Sequence, residues 1–299
     1  MFELTVRQVR AAGSAVAVGM LLQACAGAAV PIAKPAAGTP LARSLDSMLA
    51  PEATPVPYPT LSLEPSPLPP ASVNPVPPRS SPPGRSLLPA DMLGVEWTRL
   101  PTSRKVVALT FDAGSMAQGV PSILDTLRRE HVPGTFFLTG RWVTSYPALA
   151  KEIGDTAGNS IGNHTFDHAD LRGLSDAQVV AEISDGERWI QAKTGRRLQP
   201  LFRFPYGGSD PRLLAIANRL GYGSIRWTVD TLGWKGVSAG QSVGTVYQRA
   251  VGAAEPGEIL LMHVGASPDG STLDADALGR VIDELRRRGY GFVAVGDFL

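Results

Sequence analysis

Cysteine is almost missing from this sequence: Cys25 stands alone among 299 residues, so no internal disulfide can staple the fold. Charge imbalance is missing too, with 28 basic against 27 acidic residues and a formal net charge of +1. Basic residues never run longer than Arg286-Arg287-Arg288, at the end of a predicted helix where the macrodipole favours cations. Nothing in that balance points to a nucleic-acid partner. No apolar run reaches the roughly 20 residues of a membrane span; Ala11 to Leu22 is too short. Histidine is scarce, at four residues. What remains, 43% hydrophobic and 18% charged, is enough to bury a substantial core.

The first 25 residues have the layout of an export signal. Arg7 and Arg10 precede the apolar stretch, which closes on Leu21-Leu22-Gln23-Ala24-Cys25. That ending resembles the lipobox of bacterial lipoproteins, which implies acylation of Cys25 and a membrane-anchored, exported chain. The alternative is an ordinary signal cut near Ala26 to Ala29; either way the chain leaves the cytoplasm. Seventeen of the 26 prolines then fall between Pro31 and Pro89. Proline fixes φ and removes the amide donor, so 26–92 is expected to be a disordered, polyproline-like tether. The alternative for this segment is a Pro-rich ligand of some partner domain.

From 93 to 299 the pattern changes to strands alternating with helices. Apolar, β-branched or aromatic runs occur at Val106–Phe111, Gly134–Leu138, Ser160–His164, Leu201–Pro205, Ser224–Val229, Glu258–Met262 and Gly291–Val295. Helical periodicity falls on Pro121–Glu130, on Asp176–Lys193 behind Ser175 as N-cap, and on Leu273–Arg288 before Gly289. The expectation is an α/β fold, a distorted seven-stranded (β/α) barrel, with its chemistry at the C-terminal strand ends.

Those ends carry reactive side chains. Asp112 follows the first run, His164 ends the third, Arg203 lies in the fourth, Asp230 and Trp234 follow the fifth, and His263 follows the sixth. His131, the remaining histidine, is expected to be an exposed helix end. His164 and His168, four residues apart, can aim two neutral imidazoles at one divalent ion such as zinc. Alone, that spacing fits a pair of exposed loop histidines equally well. Asp112 at the rim suits a base acting on a metal-activated water, or a turn-capping carboxylate. Arg203 could orient that carboxylate or form a structural ion pair, and His263 could donate a proton or be a hydrogen-bonded core residue.

Together, Thr110-Phe111-Asp112-Ala113, His164-Thr165-Phe166-Asp167-His168, Arg203-Phe204-Pro205-Tyr206, Asp230 to Trp234 and Leu261-Met262-His263 resemble the polysaccharide deacetylase family. That family is also known as the NodB homology domain or carbohydrate esterase family 4. Its pattern runs Thr-Phe-Asp-Asp, His-(Ser/Thr)-x-x-His, Arg-x-Pro-Tyr, Asp-x-x-Asp-Trp, Leu-x-His. The resemblance covers essentially all of 95–299. It implies that Asp112 is the base, His164 and His168 are metal ligands, and Arg203 orients Asp112. It also implies that the Tyr206 amide stabilises an oxyanion, His263 is the acid and Trp234 packs on the site.

The resemblance further implies a divalent metal, zinc first, with cobalt or another first-row ion as alternatives. Two positions depart from the pattern. Ala113 replaces the third metal ligand, which implies weaker metal retention. Gly233 replaces the aspartate that tunes the acid histidine, leaving Asp230 as a candidate substitute. The activity implied is removal of N-acetyl groups from an amino-sugar polysaccharide, peptidoglycan first. An O-acetyl esterase on xylan or exopolysaccharide, and a non-catalytic carbohydrate-binding relative, are the alternatives.

Overall fold

The structure, a computed structural model, describes residues 88–252, 254–266 and 269–299. The export signal, Cys25 and nearly all of the proline-rich segment lie outside the described residues.

Nine strands form one curled, parallel sheet. In chain order the elements are β1 (Glu96–Trp97), β2 (Val106–Ala113), α1 (Val120–Arg129), β3 (Thr135–Leu138), α2 (Gly140–Ser145), α3 (Pro147–Asp155), β4 (Ser160–Asn163) and α4 (Asp176–Thr194). Then come β5 (Leu201–Phe202), α5 (Pro211–Arg219), β6 (Gly223–Ile225), β7 (Val229–Asp230), α6 (Val243–Gly252), β8 (Glu258–His263), α7 (Leu273–Arg287) and β9 (Gly291–Val293). Strand order is β1-β6-β5-β4-β3-β2-β8-β7, and β9 pairs with the first residues of β2. The two ends curl toward each other. An antiparallel bridge joins Arg99, just past β1, to Glu258 of β8, and Leu100 N–H donates to Gly257 O at 2.8 Å. The distorted barrel expected from strand-helix alternation is present.

The strand count is nine rather than seven. β1 was not anticipated, and the run Ser224–Val229 is two strands. Between them the Arg226 amide donates to Trp97 O and the Thr228 amide to Ile259 O, both at 2.8 Å. The chain changes partners there, leaving β1 for β8, so one apolar run serves two ladders. Helices α2, α3, α5 and α6 were also not anticipated.

Alternation along β2 separates two cores. Val107, Leu109, Phe111 and Ala113 face the helices with residues of α1, α6 and α7. Ala108 faces inward with Trp97, Leu100, Phe137, Leu201, Ile225 and Ile259, which fill the barrel; Met92, ahead of β1, is buried among them. Helix α4 starts at a capping box in which Ser175 and Gln178 bond each other's amides, and stops at Gly195 in the left-handed region (φ 69°). Among the described residues, no helix is long and apolar enough to cross a membrane.

Candidate active site

Strand register assembles the site. β2 and β8 pair with Asp112 opposite His263, and β4 pairs with β5 so that His164 and Arg203 emerge side by side. A pocket of about 400 Å³ opens at these strand ends, lined by Asp112, His164, His168, Tyr206, Asp230, Trp234 and His263 among others. Arg203 lies beneath it, 1% exposed. All eight site residues expected within the described chain therefore meet at one rim. A larger hollow, about 770 Å³, lies beside the starts of β3 and β4 and holds none of them.

Arg203 organises the floor. Its Nη1 donates to Asp112 Oδ1 at 2.6 Å and to Thr110 Oγ1 at 3.0 Å. Its Nε and Nη2 reach the carbonyls of Ile225 (3.2 Å) and Arg226 (2.9 Å), and its guanidinium lies over the Phe137 ring at 4.1 Å. Burial pulls its pKa below the ordinary arginine value, opposed by the charge and hydrogen bond of Asp112. So complete a set of partners fixes the carboxylate of Asp112, whose other oxygen, Oδ2, stands 3.5 Å from His164 Nε2.

His164 is 2% exposed, and its Nδ1 meets the Arg203 carbonyl at 2.8 Å. A carbonyl only accepts, so Nδ1 carries the proton and Nε2 keeps a free lone pair. The His168 ring lies edge-on to that of His164, centroids 4.7 Å apart, and against Tyr206 at 4.6 Å. Burial lowers the pKa of both histidines to about 4, so both are neutral near pH 7. Two neutral imidazoles side by side, one with its tautomer locked by a backbone acceptor, fit a divalent metal ion. Ala113 adds only a buried methyl group. Among the described residues no group of three His, Cys, Asp or Glu side chains is set to hold a metal.

The loop between the histidines is strained. Thr165 and His168 have φ of 72° and 62°, costing about 1–3 kcal/mol each for non-glycine residues. Tyr206 (φ 58°), on the turn Pro205–Gly207, and Leu232 (φ 62°) share this conformation. Four of the chain's five such residues among those described thus sit in loops around the pocket; the fifth is His131, exposed past the end of α1.

On the opposite wall, His263 packs near Trp234, with ring centroids 6.2 Å apart. Burial lowers its pKa to about 4, Asp112 pulling the other way, and its buried Nδ1 has no hydrogen-bond partner. Asp230 does not fill the place left by Gly233. Its oxygens accept the Leu232 amide (2.8 Å) and the Trp234 indole N–H (3.3 Å) instead. Burial raises the pKa of Asp230.

The space beside Gly233 belongs to Asp274, from the first turn of α7. A Cβ on residue 233 would lie 2.5 Å from all three atoms of that carboxyl group. Asp274 accepts the Thr231 hydroxyl at 2.6 Å and the His263 main-chain amide at 2.9 Å, and burial raises its pKa to about 7. The sequence reading missed this residue. A signal existed, because Asp274 falls on the apolar stripe of α7 with Leu278, Val281, Ile282 and Leu285, where a carboxylate is out of place.

Comparison with known proteins agrees with this geometry. The polysaccharide deacetylase family model matches residues 99–225. The peptidoglycan-N-acetylmuramic acid deacetylase PdaA of Bacillus subtilis is 33% identical over 198 residues, 66% of this chain and 73% of the relative. A peptidoglycan-N-acetylglucosamine deacetylase of Bacillus cereus is 34% identical, over 65% of this chain and 68% of its own length. The solved structure of PdaA, a family 4 carbohydrate esterase, superposes with a TM-score of 0.62 at 31% identity, covering 69% of this chain and 85% of that one. A family 4 pseudoenzyme from Bacillus anthracis superposes with a TM-score of 0.59 at 31% identity, covering 65% of each chain. With this fold, this rim of side chains and these relatives, the chain belongs to the polysaccharide deacetylase family.

Proposed function

We propose that this chain hydrolyses N-acetyl groups on an amino-sugar polysaccharide, peptidoglycan first, with a divalent metal held by His164 and His168. The observation that carries the reading is Asp112. One of its oxygens is pinned by the buried Arg203, while the other faces the free Nε2 of His164 across 3.5 Å. A carboxylate held so can take a proton from a water poised over the two histidines. A divalent ion bound there, zinc, cobalt or another first-row metal, would lower the pKa of such a water.

In the reaction, Asp112 removes one proton from water as its oxygen attacks the amide carbonyl. The Tyr206 main-chain amide, on the kinked turn, would donate to the developing oxyanion. His263 delivers a proton to the leaving nitrogen as the C–N bond breaks, giving acetate and a free amine. Burial lowers its pKa to about 4, so the resting ring is neutral, and the proton it delivers is the one that Asp112 takes from water and passes across the pocket during the attack. Trp234 and Tyr206, 41% and 69% exposed, offer ring faces to the sugar at the mouth.

The full chain should release acetate from peptidoglycan, lose that activity to a chelator, and regain it with zinc or cobalt. Asp112→Asn should lose about 10²–10⁴-fold. Acetate release equal in Asp112→Asn and the parent would end the proposal. Release from acetylated xylan but not from peptidoglycan or chitin oligomers would transfer the chemistry to an ester. We further propose that the chain is exported and anchored through an acylated Cys25, which suits a wall substrate. Palmitate labelling that survives Cys25→Ser would refute the anchor.

A further inference from the structure

The loop carrying the two histidines is held in place by its neighbours to an unusual degree. Each of the four amides after His164 donates to a side-chain acceptor. Thr165 N–H bonds Asn163 Oδ1 at 2.9 Å, and His168 N–H bonds Thr165 Oγ1 at 3.0 Å. Between them, Phe166 N–H (3.2 Å) and Asp167 N–H (2.9 Å) both reach one oxygen, Oε2 of Glu182 on α4. The carbonyls are taken from the other side: Thr165 O and Phe166 O accept the Gly140 and Arg141 amides at the start of α2. One turn past Glu182, Gly186 lets α4 approach so closely that a Cβ there would lie 2.7 Å from Asn163 Oδ1 and from the Thr165 carbonyl carbon.

We infer that Glu182 is a positioning residue of the metal site: its single oxygen, clamping two consecutive amides, fixes the strained loop so that His164 and His168 stay convergent. The inference rests on the proposed metal reading and goes beyond it. With Ala113 in place of a third ligand, two imidazoles must retain the ion. A ligand pair that is already ordered loses less entropy on binding than one that must be ordered by the metal. Glu182 touches neither imidazole; it acts through the backbone between them.

The test is metal affinity, read by competition of the metal-free full chain against a chromophoric chelator for Zn(II) and Co(II), with thermal midpoints measured on the same metal-free samples. Glu182→Ala removes the acceptor and should weaken binding about 10–100-fold while the metal-free midpoint changes little. Glu182→Gln keeps a carbonyl oxygen for both amides and should restore affinity to within about threefold of the parent. The visible absorption of the Co(II) form should change in Glu182→Ala and revert in Glu182→Gln. Gly186→Ala, which pushes α4 off the loop, should weaken binding in the same direction and carries the test if Glu182→Ala does not fold. Parent-like affinity in folded Glu182→Ala, or in Gly186→Ala where that variant carries the test, overturns the clamp. So does a Glu182→Gln variant as weak as Glu182→Ala. A parent chain that binds neither ion overturns the metal reading itself.

Discussion

The two walls of the pocket are built on different plans. On the histidine wall, Thr165 and His168 are strained, and every amide from 165 to 168 has a side-chain acceptor. On the wall of His263, that residue ends a regular strand, yet its Nδ1 is buried without a partner, and the Asp274 carboxylate grips its backbone. In the proposed function the ligand pair must keep one geometry, whereas the proton donor must change its protonation state. Rigid hydrogen bonding serves the first, and an unpartnered nitrogen leaves the second free to respond to charge that appears during the reaction.

Breaking the floor that both walls share should have the largest effect. Arg203→Met leaves the Asp112 carboxylate buried and unpaired and should cost about 3–5 kcal/mol in urea unfolding, with acetate release abolished. A loss below 1 kcal/mol would mean that the ion pair does not organise the floor. Asp274→Ala attacks the wall of His263 alone. It strands the Thr231 hydroxyl and the His263 amide and should cost about 1–3 kcal/mol, without weakening metal binding. Equal damage to metal affinity would erase the distinction between the walls.

Acidity sharpens the same contrast. Asp274 and Glu258 are buried with pKa values raised to about 7. Between about pH 4 and pH 7 the folded chain keeps protons that the unfolded chain has released, so stability contributed by these groups falls as pH rises through that window. The loss is complete above the folded value. Urea midpoints at pH 5, 6, 7 and 8 should fall less steeply for Asp274→Asn than for the parent; an unchanged slope would contradict the raised value. The smallest effect is expected from Trp234→Phe. It removes a half-exposed hydrogen bond to Asp230 worth about 0.5–1 kcal/mol, so kcat/KM should drop about two- to fivefold.

Sequence patterning showed the parts of this fold whose signals are local. The runs of β2 and β8, the Ser175 cap of α4 and the glycine after α7 fell close to their observed bounds. The split of 224–229 was hidden because no glycine or proline interrupts the run, and only the partners, Trp97 and Ile259, reveal the exchange. The candidate site residues were legible because each lies within, at the end of or shortly after an apolar run. Glu182 was not, since it acts on backbone supplied by another element, a relation no spacing records; Asp274 showed only as a carboxylate out of place on the apolar stripe of α7. Asp230 lines the pocket as expected, but its donors are Leu232 and Trp234, both within four residues, and not His263.

Asp112 and His263 face each other on adjacent parallel strands. Their attachment points are therefore one ladder spacing apart, roughly 4.8 Å, a distance set by main-chain hydrogen bonding and indifferent to side-chain identity. Loops at the rim can be rebuilt to admit a different substrate without altering the span between the proposed base and the proposed acid. Remodelling of this protein for new substrates belongs in residues 206–208, 231–240, 264–266 and 269–272, with the ladder left alone.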